Sequence, residues 1–92
     1  MEYSDKIEKT KRCALIGIIV EDRSGVSELN ALLSKYSAYI IGRMGLPYRG
    51  NSEREISMIS VGIEAPEDII SALSGKIGMI GGLSAKVIYA KK

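Results

Sequence analysis

The sequence predicts an α+β fold, a four-stranded antiparallel sheet with two helices packed on one face, and three observations point to it. Two stretches carry apolar residues at helical spacing: Val26, Leu29, Leu33 and Tyr36, then Ile69, Ile70, Leu73 and Ile77. Four stretches, 13–20, 39–46, 55–64 and 83–90, are continuously apolar or alternate with the period of two that a strand imposes. Their order is β-α-β-β-α-β, two split βαβ halves, which is the ferredoxin-like plan. Right-handed crossovers then place both helices on the same side of the sheet.

Residues 1–11 are charged and aperiodic, and a flexible lead-in is expected there, with 12–92 forming a single domain. "CALIGIIV" (13–20) is β-branched and almost wholly apolar, as suits a strand buried on both faces. "EDRSG" ends it, and a helix is expected over roughly 24–38 with Ser24 as its N-cap. "YIIGRMGL" (39–46) is a weaker strand whose glycines and Arg43 indicate an edge or a bulge. Pro47 and Gly50-Asn51 supply turn chemistry. In "EISMISVGIE" (55–64), Ile59, Val61 and Ile63 alternate against Met58, Ser60 and Gly62. Pro66 suits a first helical position, with Glu67 and Asp68 complementing the positive helix end; that helix is expected over roughly 66–79, stopped by Gly81-Gly82. Leu83, Ala85, Val87 and Tyr89 alternate against Ser84, Lys86 and Ile88 in the last strand. The first and third strands belong in the centre, the second and fourth at the edges, where Arg43 and Lys86 fall.

Bulk properties exclude several functions. Ninety-two residues bury only about 60–65% of the unfolded chain's surface, a thin core. Thirteen basic and eleven acidic residues give +2, too balanced for a dedicated nucleic-acid binder. Cys13 is the only cysteine, so no internal disulfide forms and a reducing, cytoplasmic setting is expected. The N-terminus is too polar for a signal peptide, and no apolar run approaches the roughly 20 residues of a membrane span. With no histidine and one cysteine, a zinc or iron–sulfur site within one chain is not expected, nor any cofactor. Cys13 is expected to be a buried structural thiol. Glu21 and Asp22, adjacent in a strand, would face opposite ways, a poor geometry for shared acid–base work, so a non-enzymatic role is expected.

Three segments are candidates for binding. "LSGKIGMIGG" (73–82) looks like a phosphate loop, but that motif requires glycine at 70 and serine or threonine at 77, and both are isoleucine. Its Gly75 and Gly78 instead join Ser71 and Ser74 in a small-residue stripe. Each interior glycine costs about 1 kcal/mol relative to alanine, so close approach of a helix, a second chain or a ligand is expected. "EDRSGV" (21–26) puts Asp22, Arg23, Ser24, Gly25 and Val26 at a helix N-terminus, where free N–H groups and a forked guanidinium suit a carboxylate or other anion; the alternative is a turn that Gly25 merely eases. Arg43 and Arg49, with Tyr48 between them in sequence, are candidate anion contacts, or else they solvate an edge and its loop. Strands one and three also offer apolar residues to both faces, Leu15 and Ile19 against Ile16 and Ile18, then Ile59 and Val61 against Ile56 and Met58, while the helices cover only one, so a homo-oligomer, dimer or tetramer, is expected.

"IVEDRSGVSELNALLSKYSAYIIGRMGLPYR" joined to "ISALSGKIGMIGGLSAKVIYAKK" resembles the small iron-only hydrogenase system regulators of anaerobic bacteria, over nearly all of the chain after residue 12. The resemblance implies an ACT-like ferredoxin fold similar to the effector domain of nickel-responsive repressors, and an oligomeric regulatory module of that hydrogenase system. "EDRSGV" is also similar to the ACT-domain turn whose glycine lies near an amino-acid effector at a subunit interface. That implies a small anionic or amino-acid-like ligand near residues 22–26, with Gly75 and Gly78 as a second wall and Gly25 giving the ligand access to backbone. A protein of the hydrogenase system is the other implied partner. Nickel repressors bind metal through histidines and a cysteine, and this chain has no histidine, so nickel sensing is not carried over. They also bear a ribbon-helix-helix segment for which an eleven-residue lead-in is too short, so direct DNA binding is not expected. An assembly factor without ligand and a small enzyme with an interface pocket are the alternatives.

Overall fold

The computed structural model describes residues 10–47 and 56–91. Its elements are β1 (Lys11–Val20), α1 (Val26–Lys35), β2 (Ile40–Pro47), β3 (Ser57–Pro66), α2 (Glu67–Gly78) and β4 (Leu83–Tyr89), with short 3-10 turns at Arg23–Gly25 and Ser37–Tyr39. The strands form one sheet in the order β2-β3-β1-β4, every neighbouring pair antiparallel. This is the expected ferredoxin-like α+β arrangement, with the most apolar strand in the centre.

The alternation of β1 divides the molecule. Ala14, Ile16, Ile18 and Val20 lie against the helices and are buried, as are Val61, Ile63 and Ala65 across from them on β3. Leu29 and Leu33 of α1, Ile70, Leu73 and Ile77 of α2, and Ile80 and Leu83 beyond it complete the core. Each such aliphatic side chain is worth roughly 1.5–3 kcal/mol when fully buried. Among the described residues no polar or charged side chain is buried, so apolar packing and strand pairing hold the fold together.

The other face of the sheet is open. Leu15 is 44% exposed, Met44 63%, Leu46 58% and Ile88 68%. The expectation that "CALIGIIV" is covered on both sides is therefore corrected: within one chain the helices shield only the even-numbered residues of β1. Cys13 is corrected with it, since its odd number puts the thiol on the open side, exposed, opposite Glu64.

Several boundaries also shift. Lys11, assigned to the lead-in, begins β1, and residues 1–9 lie outside those described. Pro66 is not the first helical residue; it ends β3 with φ −59° and ψ 151° and stands at the N-cap of α2. That helix ends at Gly78, three residues before Gly81, with the amide of Met79 closing its last turn. β2 contains the expected bulge: Ile40 pairs with Ile63 and Gly42 with Gly62, leaving Ile41 as the extra residue.

Gly82 has the only positive φ among the described residues, +82°. Its carbonyl accepts the Glu21 amide at 2.7 Å, and a Cβ there would overlap the Cβ of Asp22 and lie 3.2 Å from that residue's N and Cα. Gly82→Ala should lower stability by about 1–3 kcal/mol, read as an earlier denaturant midpoint. Gly81→Ala, next door with nothing within 4 Å of its added Cβ, should be neutral or gain about 0.4–1 kcal/mol. Equal effects at both positions would refute this account of the turn.

Candidate functional site

The turn after β1 is built by Asp22. With φ −138° and ψ 114° it is still extended, and its Oδ1 accepts the Ser24 amide at 3.0 Å. The Gly25 amide donates to the Asp22 carbonyl at 3.2 Å, and this closes the 3-10 turn from which α1 starts at Val26. The capping residue is thus Asp22 rather than Ser24, and it caps the 3-10 turn, while Gly25 stands at the head of α1 without a side chain. The bond from the Ser24 backbone holds the Asp22 carboxyl below its ordinary value. The Ser24 hydroxyl adds to the effect, and partial desolvation opposes it slightly.

Gly25 is buried, and what approaches it comes from inside the protein. An added Cβ would lie 2.7 Å from Ile80 Cγ2, 2.9 Å from Leu83 Cδ1 and 3.2 Å from the Gly81 carbonyl oxygen. The expectation that Gly25 opens the backbone to a ligand is corrected: the α2–β4 connection occupies that space.

Arg23 and Val26 line a cavity of about 340 Å³ together with Arg43, Gly45 and Leu46 of β2, Val20 of β1 and Ser57 to Ile59 of β3. Arg43 sits opposite buried Val61, hence on the helix side of the sheet, and its Nη1 donates to Asn30 Oδ1 of α1 at 3.1 Å. Gly45, two residues on, shares that side and adds no side chain, so the cavity stays open between the edge strand and the helix. Two residues singled out separately in the sequence, Arg23 and Arg43, therefore belong to one cavity.

The remaining candidates do not join it. Asp22 and Ser24, two residues apart, are bonded to each other, but neither lines it. Gly75 and Gly78 are exposed on α2, with nothing within 4 Å of an added Cβ, so no helix of this chain packs closely on them and they form no second wall to this cavity. Arg49 and Tyr48 lie outside the described residues. Sequence reasoning missed Val20, Gly45, Leu46, Ser57, Met58 and Ile59. Gly45 was within reach, because period-two alternation places it on the same side as Arg43.

Two larger cavities among the described residues lie elsewhere. One of about 430 Å³ runs between the helices past Leu32, Lys35, Lys76 and Met79. The other, about 630 Å³, lies at the far end of the sheet, where Arg12 pairs with Glu67 at 3.1 Å and rests 4.1 Å over the Tyr89 ring. Among the described residues no three or more of His, Cys, Asp and Glu gather in a way that could hold a metal ion. No described helix is long and apolar enough to cross a membrane.

The lowered pKa of Asp22 has a definite sign. Its stabilising contribution is full above the ordinary value of 3.8 and is lost as pH falls through the lower folded value. Asp22→Asn keeps an oxygen acceptor but does not titrate, so urea unfolding followed from about pH 5 to pH 2 should show a shallower acid limb than wild type. Gly25→Val should cost several kcal/mol by overpacking against Ile80 and Leu83, contrary to a purely ligand-facing role.

A family model described as "Iron-only hydrogenase system regulator, putative" (TM1266-like) matches residues 12–87. The solved structure of uncharacterized protein TM1266 from Thermotoga maritima is 36% identical, with a TM-score of 0.80, covering 88% of this chain and 99% of that one. The C-terminal domain LarC2 of a cyclometallase is 12% identical at a TM-score of 0.47, covering 89% and 58%. A PII-like protein from Thiomonas intermedia K12 is 19% identical at 0.42, covering 89% and 94%. At those scores neither of the last two likenesses informs what this chain does. Among curated proteins no match was found. Matched along most of its length and sharing more than a third of its residues with a structure of the same extent, the chain belongs to the TM1266-like family of iron-only hydrogenase system regulators.

Proposed function

We propose that this chain is a non-enzymatic regulatory module of the iron-only hydrogenase system that works as a homo-oligomer and takes a small anionic ligand beside the turn after β1. Family membership supports the regulatory role. The open sheet face is the observation that carries the assembly. Its three central rows, read across β2, β3, β1 and β4, are Gly42-Gly62-Leu15-Ile88, Met44-Ser60-Gly17-Lys86 and Leu46-Met58-Ile19-Ser84. Lys86, on an edge strand, is the only charge in those rows. Strand spacing of about 4.8 Å and a rise of about 3.3 Å per residue give those rows roughly 400 Å² in projection, about half of the roughly 800 Å² each partner contributes to a standard interface.

The occupant that suits this face is a second copy. The ridge Leu46-Met58-Ile19 runs beside a trough floored by Ser60 and Gly17, and a two-fold axis sets the ridge of each copy into the trough of the other. Left in water, the same side chains forgo about 25 cal/mol for every Å² they would bury. A hydrogenase-system protein seated on this face, with no ligand, is the competing reading.

Light scattering at micromolar concentration should give the mass of a dimer or a larger assembly. Gly17→Leu, which fills the trough, and Ile19→Glu, which charges the ridge, should each weaken assembly at least about tenfold, with far-UV circular dichroism unchanged. A monodisperse wild-type monomer refutes the homo-oligomer. A stable complex with a hydrogenase-system protein, formed by that monomer, supports the assembly factor instead.

A further inference from the structure

We infer that the helix layer carries a second contact between copies of this chain, in which the groove between α1 and α2 receives α1 of another copy, antiparallel to its own. This goes beyond the regulatory proposal, whose assembly uses the opposite side of the sheet. The groove, about 430 Å³, is lined by Glu28, Ala31, Leu32 and Lys35 of α1 and by Lys76 and Met79 at the end of α2. None of the six is buried.

The charge pattern names the occupant. Positions 28, 31, 32 and 35 fall at i, i+3, i+4 and i+7, one face of the helix, with an acid first, a base last and apolar residues between. At a rise of about 1.5 Å per residue the two charges stand roughly 10.5 Å apart along the axis, centred between Ala31 and Leu32. A two-fold axis through that centre reverses the helix, so Glu28 of each copy meets Lys35 of the other, and Ala31 meets Leu32. Parallel packing in register would set like charge on like. The face therefore complements itself in one direction only. Lys76 strengthens the positive end: its ammonium donates to the hydroxyl of Tyr36, the residue after Lys35, at 3.0 Å. The short side chain of exposed Ala31 lets two helices approach to about 8 Å, the close end of the usual range. Met79, 85% exposed and the most exposed large apolar side chain among the described residues, gains a cover. Symmetric contacts on opposite sides of one sheet do not close a ring, so together they stack copies into a chain that lengthens with concentration. Exposed ion pairs are screened by salt, so the helix contact is the one that salt loosens.

The test is the mass of the full chain by light scattering, from micromolar to millimolar, in the Ile19→Glu variant, whose open-face contact is weakened. It should dimerise at about 20 mM salt and at least about tenfold more weakly at about 0.5 M. Lys35→Glu or Glu28→Lys, each added alone, sets like charges across the axis twice and should weaken dimerisation at least about tenfold. An equimolar mixture of the two should restore it, because each copy then complements the other. Both residues also complement the dipole of α1, acid in its first turn and base in its last, but a role confined to the helix is not repaired by mixing. Circular dichroism on every variant separates lost contact from lost folding. The inference is overturned by a monomer at millimolar concentration in low salt, by single variants that dimerise as before, or by a mixture that stays monomeric. Wild type keeps the two proposals apart. A wild-type dimer abolished by Ile19→Glu and indifferent to Lys35→Glu sinks the helix contact and spares the open face, and a dimer with the reverse responses does the opposite.

Discussion

β1 is hydrogen-bonded along both edges, to β3 over all ten of its residues and to β4 from Ala14 to Val20. A single register therefore governs three strands at once. Slipping β1 by one residue would turn Ile16, Ile18 and Val20 out to solvent and bring Cys13, Leu15, Gly17 and Ile19 against the helices, leaving a glycine at the centre of the core. Everything else is placed relative to that strand. α1 begins where β1 ends because Asp22 closes the turn, and β4 is tied to the same end by the bond between the Glu21 amide and the Gly82 carbonyl.

Much of this was legible in the residues. The helical spacing of Leu29 and Leu33, and of Ile70, Leu73 and Ile77, located both helices and their buried faces, because a stripe of that period has no other economical use. Arg43 and Lys86 marked the edges because charge is tolerated there. The errors have two sources, local geometry that was misread and partners distant in sequence. Cys13 was assigned to the interior from the company it keeps in "CALIGIIV", yet burial in a strand depends on parity, and its parity is that of the open face. Gly25 looked like a ligand contact because glycine at a helix head has that use elsewhere; only Ile80 and Leu83, more than fifty residues on, reveal why a side chain is refused there. Ser24 lost the capping role to Asp22 because the chain takes a 3-10 turn first.

The candidate site shows the same division. Arg23 and Arg43 each stood out, but nothing in one-dimensional order says that the nineteen residues between them fold back to bring them to one cavity. That juxtaposition follows from the crossover α1 makes over the sheet, and from Asn30 on that helix meeting Arg43 on the strand. The stripe of Gly75 and Gly78 remains exposed on α2, and nothing in the structure explains why glycine stands there.

The cavity's two walls differ in stiffness. On one side, the residues from Glu21 to Gly25 are clamped from behind by the connection at Ile80 to Leu83, through one short hydrogen bond and two glycines that leave no slack. On the other side, β2 is an edge strand with a single neighbour in the sheet and a bulge at Ile41. Strain introduced between the walls will be taken up by the compliant one. Met44 and Leu46 of that less-supported strand face the open side of the sheet, so the wall with fewer bonds is also the one that borders the open face.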